Sequence, residues 1–380
     1  MGRSDETPPR AEEFASVFDA YEVRREDDTV LYVGEPTIPG QELERELWPL
    51  FRERGYELSI QRGYKTDEGL PLSRGEYVLV AEPNSTELDG IPRTNLLLFV
   101  ATIVSTMFAG AIFWYQVPVF SEPWRAIEAW PFVVAVMGVL GVHELGHYAM
   151  SRYHNVQASL PYFIPLPTYI GSMGAVIKMR GKIPNRKALF DIGAAGPLAG
   201  LVATVVVTAI GLQLDPIPAQ EAAVAQAETA VRFNHPPLLE LIAIATGATE
   251  QLEANSIHPV VFGGWVGMLV TLLNMLPVGQ LDGGHILRAM VGEQQERLAA
   301  VVPAALFGLA AYLAVVADGF DSVGIWAMWG LFAVGLAYAG PADPIDDERL
   351  DRKRMAIGVL TFVLAALCFT PIPVEIVELA

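Results

Sequence analysis

The sequence contains one cysteine in 380 residues, Cys368, so an intrachain disulfide and a metal site of several thiolates are both excluded. Charged residues make up only 18% of the chain, and the 25 Lys and Arg are outnumbered by 43 Asp and Glu. The net charge of −18 argues against nucleic acid as a partner, because nucleic-acid-binding proteins carry basic patches. The acidity suggests a halophilic organism, such as a halophilic archaeon; an ordinary acidic protein is the alternative.

The charges that are present are concentrated at one end of the chain. Residues 1–93 hold 21 of the acidic and 11 of the basic residues, a local net charge of −10. Hydrophobic residues make up 52% of the whole chain and the mean hydropathy is +0.36, which is high for a soluble protein. We therefore expect a soluble domain over residues 1–92 and a membrane domain over residues 93–380.

The soluble domain reads as a mixture of strands and one helix. YEVRRE and TVLYVGEP are typical of a strand pair around an acidic turn, and YELSIQRG and GEYVLVAEP alternate as strands do. Between them, ELERELWPLFRERG has apolar residues at helical spacing. The pattern predicts a small α+β domain of the order ββαββ, and nothing in it suggests catalysis.

Seven apolar segments follow, each near the ~20 residues that a helix needs to cross a bilayer. They cover residues 94–117, 127–152, 188–212, 259–277, 297–317, 323–340 and 355–373. We therefore expect a polytopic α-helical membrane protein with about seven transmembrane helices.

The basic residues predict the orientation of these helices. With seven spans, 23 of the 25 Lys and Arg fall on the side of the N-terminal domain and only Arg125 and Arg232 fall on the other. Because cytoplasmic loops are enriched in Lys and Arg, this places the N-terminal domain in the cytoplasm and the C-terminus outside. The protein is thus expected to be a multi-pass protein of a cell membrane.

The loop 158–187 is apolar but unsuited to a helix. It contains four prolines, and MGAVIKMRG within it alternates like a strand. Non-helical backbone at a membrane must be shielded by protein or line a cavity. We expect a membrane-associated β-hairpin or loop on the cytoplasmic side, packed against the active site.

The second apolar segment contains VLGVHELGHYAM, in which His143 and His147 are four residues apart. On a helix this spacing puts both imidazoles on one face, where two nitrogen ligands of a tetrahedral zinc ion lie. Glu144 points about 100° away from His143, so it can face a water molecule without binding the metal. Ionisable residues within a span are costly and usually functional. The alternative is a polar pair that joins helices by hydrogen bonds.

A catalytic zinc site needs a third protein ligand. The candidates include the acidic residues and four histidines: His154, His235, His258 and His285. Asp282, in NMLPVGQLDGGH after the fourth segment, is favoured because two neutral imidazoles and one carboxylate leave a site of low net charge in apolar surroundings. Capping a helix or forming a turn is the alternative role for this residue. The second and fourth segments run in the same direction, which allows Asp282 to meet the histidines within the membrane, near its cytoplasmic side.

Together the two motifs resemble the site-2 protease family of intramembrane zinc metalloproteases, whose pattern is HExxH in one helix and NxxPxxxxDG in another. This sequence has HELGH at 143–147 and Asn274, Pro277, Asp282 and Gly283 in the second motif, and LFDIGAAGPLAG resembles the family's third helix. The likeness covers a catalytic core of about 127–300. No PDZ-like insertion is visible, as in members from archaea, cyanobacteria and plastids.

The resemblance implies one zinc ion per chain, bound by His143, His147 and Asp282, with Glu144 as general base. It also implies that Asn274 lies near the substrate, where it binds the chain or stabilises an oxyanion. The implied activity is hydrolysis of peptide bonds within or near the transmembrane helices of other membrane proteins.

Two other functions remain open at this stage. One is an inactive relative that binds membrane partners, which the intact Glu144 argues against. The other is a transporter with a metal on its path, which leaves that glutamate unexplained. Two further features have competing interpretations: His285 either supports a metal ligand or lies at a helix interface, and the Gly196–Gly200 pair indicates close helix packing.

Overall fold

The computed structural model describes residues 7–62, 77–83, 92–179, 182–218, 229–253, 257–316, 321–340 and 342–378. These residues form two compact units. The first takes in the described residues before Ile91 together with Asn155–Gln157, and the second takes in the others.

The first unit is a small α+β fold, as the sequence predicts. After a 3₁₀ turn at Ala11–Phe14 come β1 (Phe18–Glu26), β2 (Thr29–Pro36), α1 (Gly40–Glu53), β3 (Tyr56–Arg62) and β4 (Tyr77–Pro83). The strands form one antiparallel sheet in the order β1-β2-β4-β3. Leu43, Leu47 and Phe51 recur at helical spacing on α1 and are buried, which is why this segment is a helix against a core. The helix gives way to β3 at Gly55, whose φ of +77° favours glycine.

The second unit is mostly helical, and its described residues include four helices that are long and apolar enough to cross a membrane. They cover Arg93–Trp114, Pro123–Tyr153, Arg186–Gly211 and Gln294–Val316. The first is α2 (Arg93–Ala109) with a π-helical turn at Gly110–Trp114, and the second is a 3₁₀ turn at Pro123–Ala129 followed by α3 (Trp130–Tyr153). The third is α4 (Arg186–Gly211).

The expected seven spans are not confirmed, because the other three apolar segments form shorter helices. Residues 259–277 give α7 (Pro259–Asn274), which stops before Pro277, a residue that disfavours helix in the position before it. Residues 323–340 give the apolar part of α11 (Asp321–Ala339). Residues 355–373 give α12 (Arg352–Ala366), which ends ahead of Pro371 and Pro373.

Three of the described helices lie outside the seven predicted segments: Pro237–Thr246, Thr249–Glu253 and Asp282–Val291. After β8 (Thr229–Phe233), α5 covers Pro237–Thr246 in the connection between the third and fourth apolar segments. The sequence of α5 contains signals for both ends of a helix, since Pro237 stands at the first helical position and Gly247 ends the helix with a φ of +70°. At ten residues it is too short to cross a bilayer, which takes a helix of about 20 residues.

The remaining elements complete the unit. They are α6 (Thr249–Glu253), α8 (Asp282–Val291), α9 (Gln294–Ala299), α10 (Val301–Val316), β9 (Pro344–Asp346) and β10 (Val374–Glu378). The strand β10 pairs with β8, and β9 pairs in parallel with β7 (Ile183–Asn185).

The loop after α3 forms the predicted hairpin. β5 (Tyr162–Pro165) pairs antiparallel with β6 (Ser172–Val176), and Gly171 and Gly174 take positive φ values of +80° and +111°. A Cβ on Gly171 would come 2.6 Å from the backbone nitrogen of Thr106 on α2, so only glycine fits this close approach. The hairpin is therefore held against α2, which lies in one of the segments long and apolar enough to cross a membrane.

The helices α3, α4 and α7 pack closely because small residues stand where they cross. A Cβ on Gly263 of α7 would come 2.5 Å from the Cβ of Ala135 on α3, and one on Gly211 of α4 would come 2.7 Å from the backbone nitrogen of Val261. Close backbone approach of this kind is typical of membrane helix bundles. It brings the polar residues of α3 against α4 and α8.

Candidate metal centre

The two histidines of HELGH lie on α3 and face the same side of it. Both are buried, and their Nε2 atoms are 3.2 Å apart. Gly146, between them, allows α4 to come close, because a Cβ at this position would lie 2.6 Å from the carbonyl oxygen of Ala195. The helical spacing and the glycine together put two nitrogen ligands on the α4 side of the helix.

Asp282 is the first residue of α8 and its carboxylate reaches both imidazoles. Oδ2 lies 3.1 Å from Nε2 of His143, and Oδ1 lies 3.2 Å from Nε2 of His147. The side chain does not cap the helix, whose N-cap residue is Leu281 with no side-chain cap. The turn after α7 explains the meeting: Pro277 ends the helix, and Gly279 at a φ of +54° reverses the chain.

The geometry of these three residues fits a zinc ion. Their ligand atoms all lie within 4.8 Å of one another, and the nearest contacts are 3.1 to 3.2 Å. Four tetrahedral ligands with zinc bonds of ~2.0–2.1 Å are about 3.3 Å apart, so the observed spacing is that of a zinc coordination shell. Two imidazoles and one carboxylate are also the ligand types of a common class of catalytic zinc site.

The other ring nitrogen of His147 has a defined partner. Nδ1 lies 2.7 Å from the backbone carbonyl oxygen of Ile192 on α4. A carbonyl only accepts, so Nδ1 carries the proton and donates it, which leaves the lone pair of Nε2 free to bind a metal. Such a partner is typical of histidines that bind metals.

Glu144 is buried beside this group but is not part of it. The backbone N–H of Ile177, the residue after β6, is directed at its carboxylate as a hydrogen-bond donor. The glutamate therefore lies between the group of His143, His147 and Asp282 and the β-hairpin.

Asn274 is the last residue of α7, and its amide nitrogen lies 3.3 Å from Nε2 of His143. The second sequence motif thus brings two side chains to the histidines, Asp282 and Asn274. The Asn274 amide therefore lies within hydrogen-bonding distance of the His143 imidazole.

The remaining histidines that were candidate ligands lie elsewhere. Nε2 of His154 contacts Asp191 Oδ2 at 2.9 Å, and His258 caps α7 by accepting a hydrogen bond from the N–H of Val260. His285 is buried on α8, and His235 lies between β8 and α5. Within the described ranges, the group formed by His143, His147 and Asp282 is the one with metal-binding spacing.

Three further residues at this site come from α4, and the sequence interpretation did not assign them to it. Ile192 contributes its carbonyl, a role that side-chain patterns do not reveal. Gly196 and Gly200 lie directly against the imidazoles of His147 and His143. The GxxxG spacing was a signal for them, but it indicated helix packing only.

Comparisons with known proteins match the region that contains the site. The profile of Peptidase family M50 matches residues 131–315, which include all three residues of the metal-binding group. The chain is 33% identical over 324 residues to the probable zinc metalloprotease EGY1, chloroplastic, of Arabidopsis thaliana, with 79% of this chain and 56% of the relative covered. It is 31% identical over 257 residues to the protein of the same name in Oryza sativa subsp. japonica, with 66% and 42% covered.

A third relative is the probable zinc metalloprotease EGY2, chloroplastic, of Arabidopsis thaliana, 29% identical over 237 residues, with 62% and 40% covered. No solved structure matches the chain. The chain spans about half the length of the curated relatives that it matches, 40% to 56% of the three named here. The match of the family profile and the identity to named zinc metalloproteases show that residues 131–315 of the chain are a domain of peptidase family M50, the family of the site-2 proteases.

Proposed function

We propose that the protein is an intramembrane zinc metalloprotease that hydrolyses peptide bonds within or near the transmembrane helices of other proteins. The observation that carries this proposal is the convergence of His143, His147 and Asp282 to within 4.8 Å, with Glu144 buried beside them on a helix long enough to cross a membrane. A transporter or a purely binding role would leave the position of Glu144 without a purpose.

In this proposal the three converging side chains hold one zinc ion, and Glu144 is the general base. Zinc, when bound, supplies Lewis acidity toward a carbonyl oxygen and a water molecule. Glu144 accepts a proton from the attacking water and later delivers it to the leaving amine. Its buried position shields that proton from bulk solvent. The N–H of Ile177 helps to fix the orientation of the carboxylate.

Asn274 and the hairpin are proposed to hold the substrate. The Asn274 amide, 3.3 Å from a ligand atom, is suited to donate a hydrogen bond to the scissile carbonyl or to an adjacent one. The segment from Ser172 to Ile177 passes the general base in an extended conformation. An unwound substrate segment can therefore add to it as a strand, which exposes peptide bonds that a helix would hide.

The proposed orientation follows the distribution of basic residues. The domain over residues 1–92 lies in the cytoplasm, the C-terminus lies outside, and the zinc ligands lie in the cytoplasmic half of the membrane. This orientation needs the short apolar helices α7, α11 and α12 to pass the bilayer as part of the bundle. The setting is a cell membrane; the relatives' names make a plastid membrane the alternative, and a fluorescent fusion in the source cells separates the two.

Metal removal tests this function. Purified protein in lipid vesicles is incubated with a labelled transmembrane helix before chelation, after chelation and after addition of one equivalent of zinc. Cleavage is expected to disappear on chelation and to return with zinc, and mass spectrometry should locate the cut within the apolar segment. Undiminished cleavage by protein that holds less than about one-tenth of an equivalent of zinc would refute the proposal.

A further inference from the structure

One face of α4 is shaped around the two imidazoles. A Cβ at Gly196 would overlap the His147 ring, its three nearest atoms being Nε2, Cδ2 and Cε1. One helical turn further, a Cβ at Gly200 would come 2.8 Å from Nδ1 and 3.1 Å from Cβ of His143. The two rings therefore occupy the space that side chains at these positions would fill.

The same face also holds the hydrogen bond to His147. Ile192, Gly196 and Gly200 succeed one another at intervals of four residues, so they line up along the helix. The carbonyl of Ile192 fixes the Nδ1 side of the His147 ring at 2.7 Å, and Gly196 lies against its Nε2 side. The ring is held between a backbone acceptor and a position without a side chain.

We propose that Gly196 and Gly200 are positioning residues for the metal, because their lack of a side chain sets where the imidazole ligands lie. This inference rests on the proposed zinc site. Gly196 lies against Nε2 of His147, the nitrogen that would bind the metal. Gly200 lies against Nδ1 of His143, on the side of the ring opposite to its Nε2. Substitution at position 196 therefore has the larger effect on zinc.

Ordinary helix packing is the competing explanation, and the nearest atoms distinguish the two. At Gly146 and Gly263 an added Cβ meets the backbone carbonyl of Ala195 and the Cβ of Ala135, so a substitution there pushes whole helices apart. At Gly196 the nearest atoms all belong to the ring of His147, and none belongs to the backbone of a neighbouring helix. Alanine at position 196 should then displace the imidazole while the helices keep their packing. Zinc affinity should therefore fall without a matching loss of apo-protein stability.

The test compares three alanine variants of the full-length protein in detergent: Gly196→Ala, Gly200→Ala and the control Gly138→Ala. Gly138 lies on α3 with nothing within 4 Å of its added Cβ, so it reports the effect of helix propensity alone, which favours alanine. Zinc affinity is measured by competition with a chromophoric chelator, cobalt binding by visible absorption, and apo-protein stability by thermal unfolding with chelator. A fourth variant, Gly263→Ala, measures the effect of disturbing a helix crossing away from the rings.

Loss of a properly oriented imidazole should weaken zinc binding by about 100-fold or more in Gly196→Ala and about 10-fold in Gly200→Ala, with a changed cobalt spectrum in the first. Gly138→Ala should bind zinc within about 2-fold of wild type, and the apo-protein of Gly196→Ala should unfold close to the wild-type temperature. Wild-type affinity in Gly196→Ala would overturn the inference while leaving the zinc protease intact. A fall in zinc affinity in Gly196→Ala that is matched by a fall in the unfolding temperature of its apo-protein, as in Gly263→Ala, would also overturn the inference. Failure of wild type itself to bind one zinc would instead refute the proposed function.

Discussion

Ion pairs join the connection between α11 and α12 to the rest of the unit, and we expect these pairs to contribute unequally to the free energy of unfolding. Asp347 accepts two hydrogen bonds from Arg186, at 2.7 Å from Nε and 2.6 Å from Nη2, and Arg186 is only 11% exposed. Arg288, which is 8% exposed, donates to Asp343 at 2.8 Å and lies 3.4 Å from Asp347. These pairs join the start of α4 and the middle of α8 to the chain around β9.

The exposure of the acids sets the expected magnitudes. Removing one partner of a fully buried pair costs about 3–5 kcal/mol, whereas an exposed pair contributes about 0.2–1 kcal/mol. Asp347 is 34% exposed and forms a two-bond pair with a buried guanidinium, so Asp347→Ala should cost about 2 kcal/mol. Asp343 is 67% exposed and forms one bond, and Arg288 keeps a second acid nearby, so Asp343→Ala should cost less than about 1 kcal/mol.

Unfolding by SDS in mixed micelles measures both variants against wild type. The double variant Arg186→Met/Asp347→Leu is the control, since it removes both charges together and should lose less stability than Asp347→Ala alone. Equal losses from Asp347→Ala and Asp343→Ala, or a loss below about 0.5 kcal/mol for the first, would refute the reasoning that the exposure of the acid and the number of its bonds decide the cost.

Three further predictions concern the other sites. A hydrogen bond from Arg54 is the main cause that lowers the pKa of Glu13 from 4.5 to about 2, so this pair stabilises the fold fully above pH 4.5 and loses that effect as the pH falls through 2. In Arg54→Gln a carboxyl NMR titration should find the pKa of Glu13 raised toward 4.5 but still below it, because the backbone N–H of Arg10 continues to donate to this carboxylate. An unchanged pKa would disprove the assignment. Asp282→Ala should hold less than about one-tenth of the wild-type zinc at equal free metal, and full retention would rule it out as a ligand. Asn274→Ala should keep one zinc per chain and lower kcat about 10²–10³-fold, whereas a change in KM alone would argue against an oxyanion role.

The sequence was most informative where chemistry and helical periodicity coincide. HELGH could be placed on one helical face because the spacing of His143 and His147 matches one turn, and the structure has it so. Asp282 was different, because residue type alone left helix capping equally open. Only the reversal of the chain at Gly279 brings its carboxylate to the imidazoles.

The expected seven spans are not confirmed, and four helices long enough to cross a membrane are described instead, for a physical reason. A hydropathy pattern measures apolar length, but it does not detect where a proline or a turn ends the helix, as after Asn274 and Ala366. The prediction of which α4 residues lie at the site was incomplete for another reason. The Gly196–Gly200 spacing indicates that something packs closely there, yet the sequence does not reveal that the closest groups are the imidazoles.

The most direct test of the central proposal compares wild type with Glu144→Gln in the same vesicles, measuring bound zinc and cleavage of a transmembrane substrate together. Glu144 lies beside the metal-binding group without belonging to it, so both proteins should hold one zinc per chain. Glutamine cannot accept the proton, so cleavage should fall by at least about 10²–10⁴-fold in the variant. Equal cleavage by the two proteins would contradict the assignment of Glu144 as the base and, with it, the proposed mechanism.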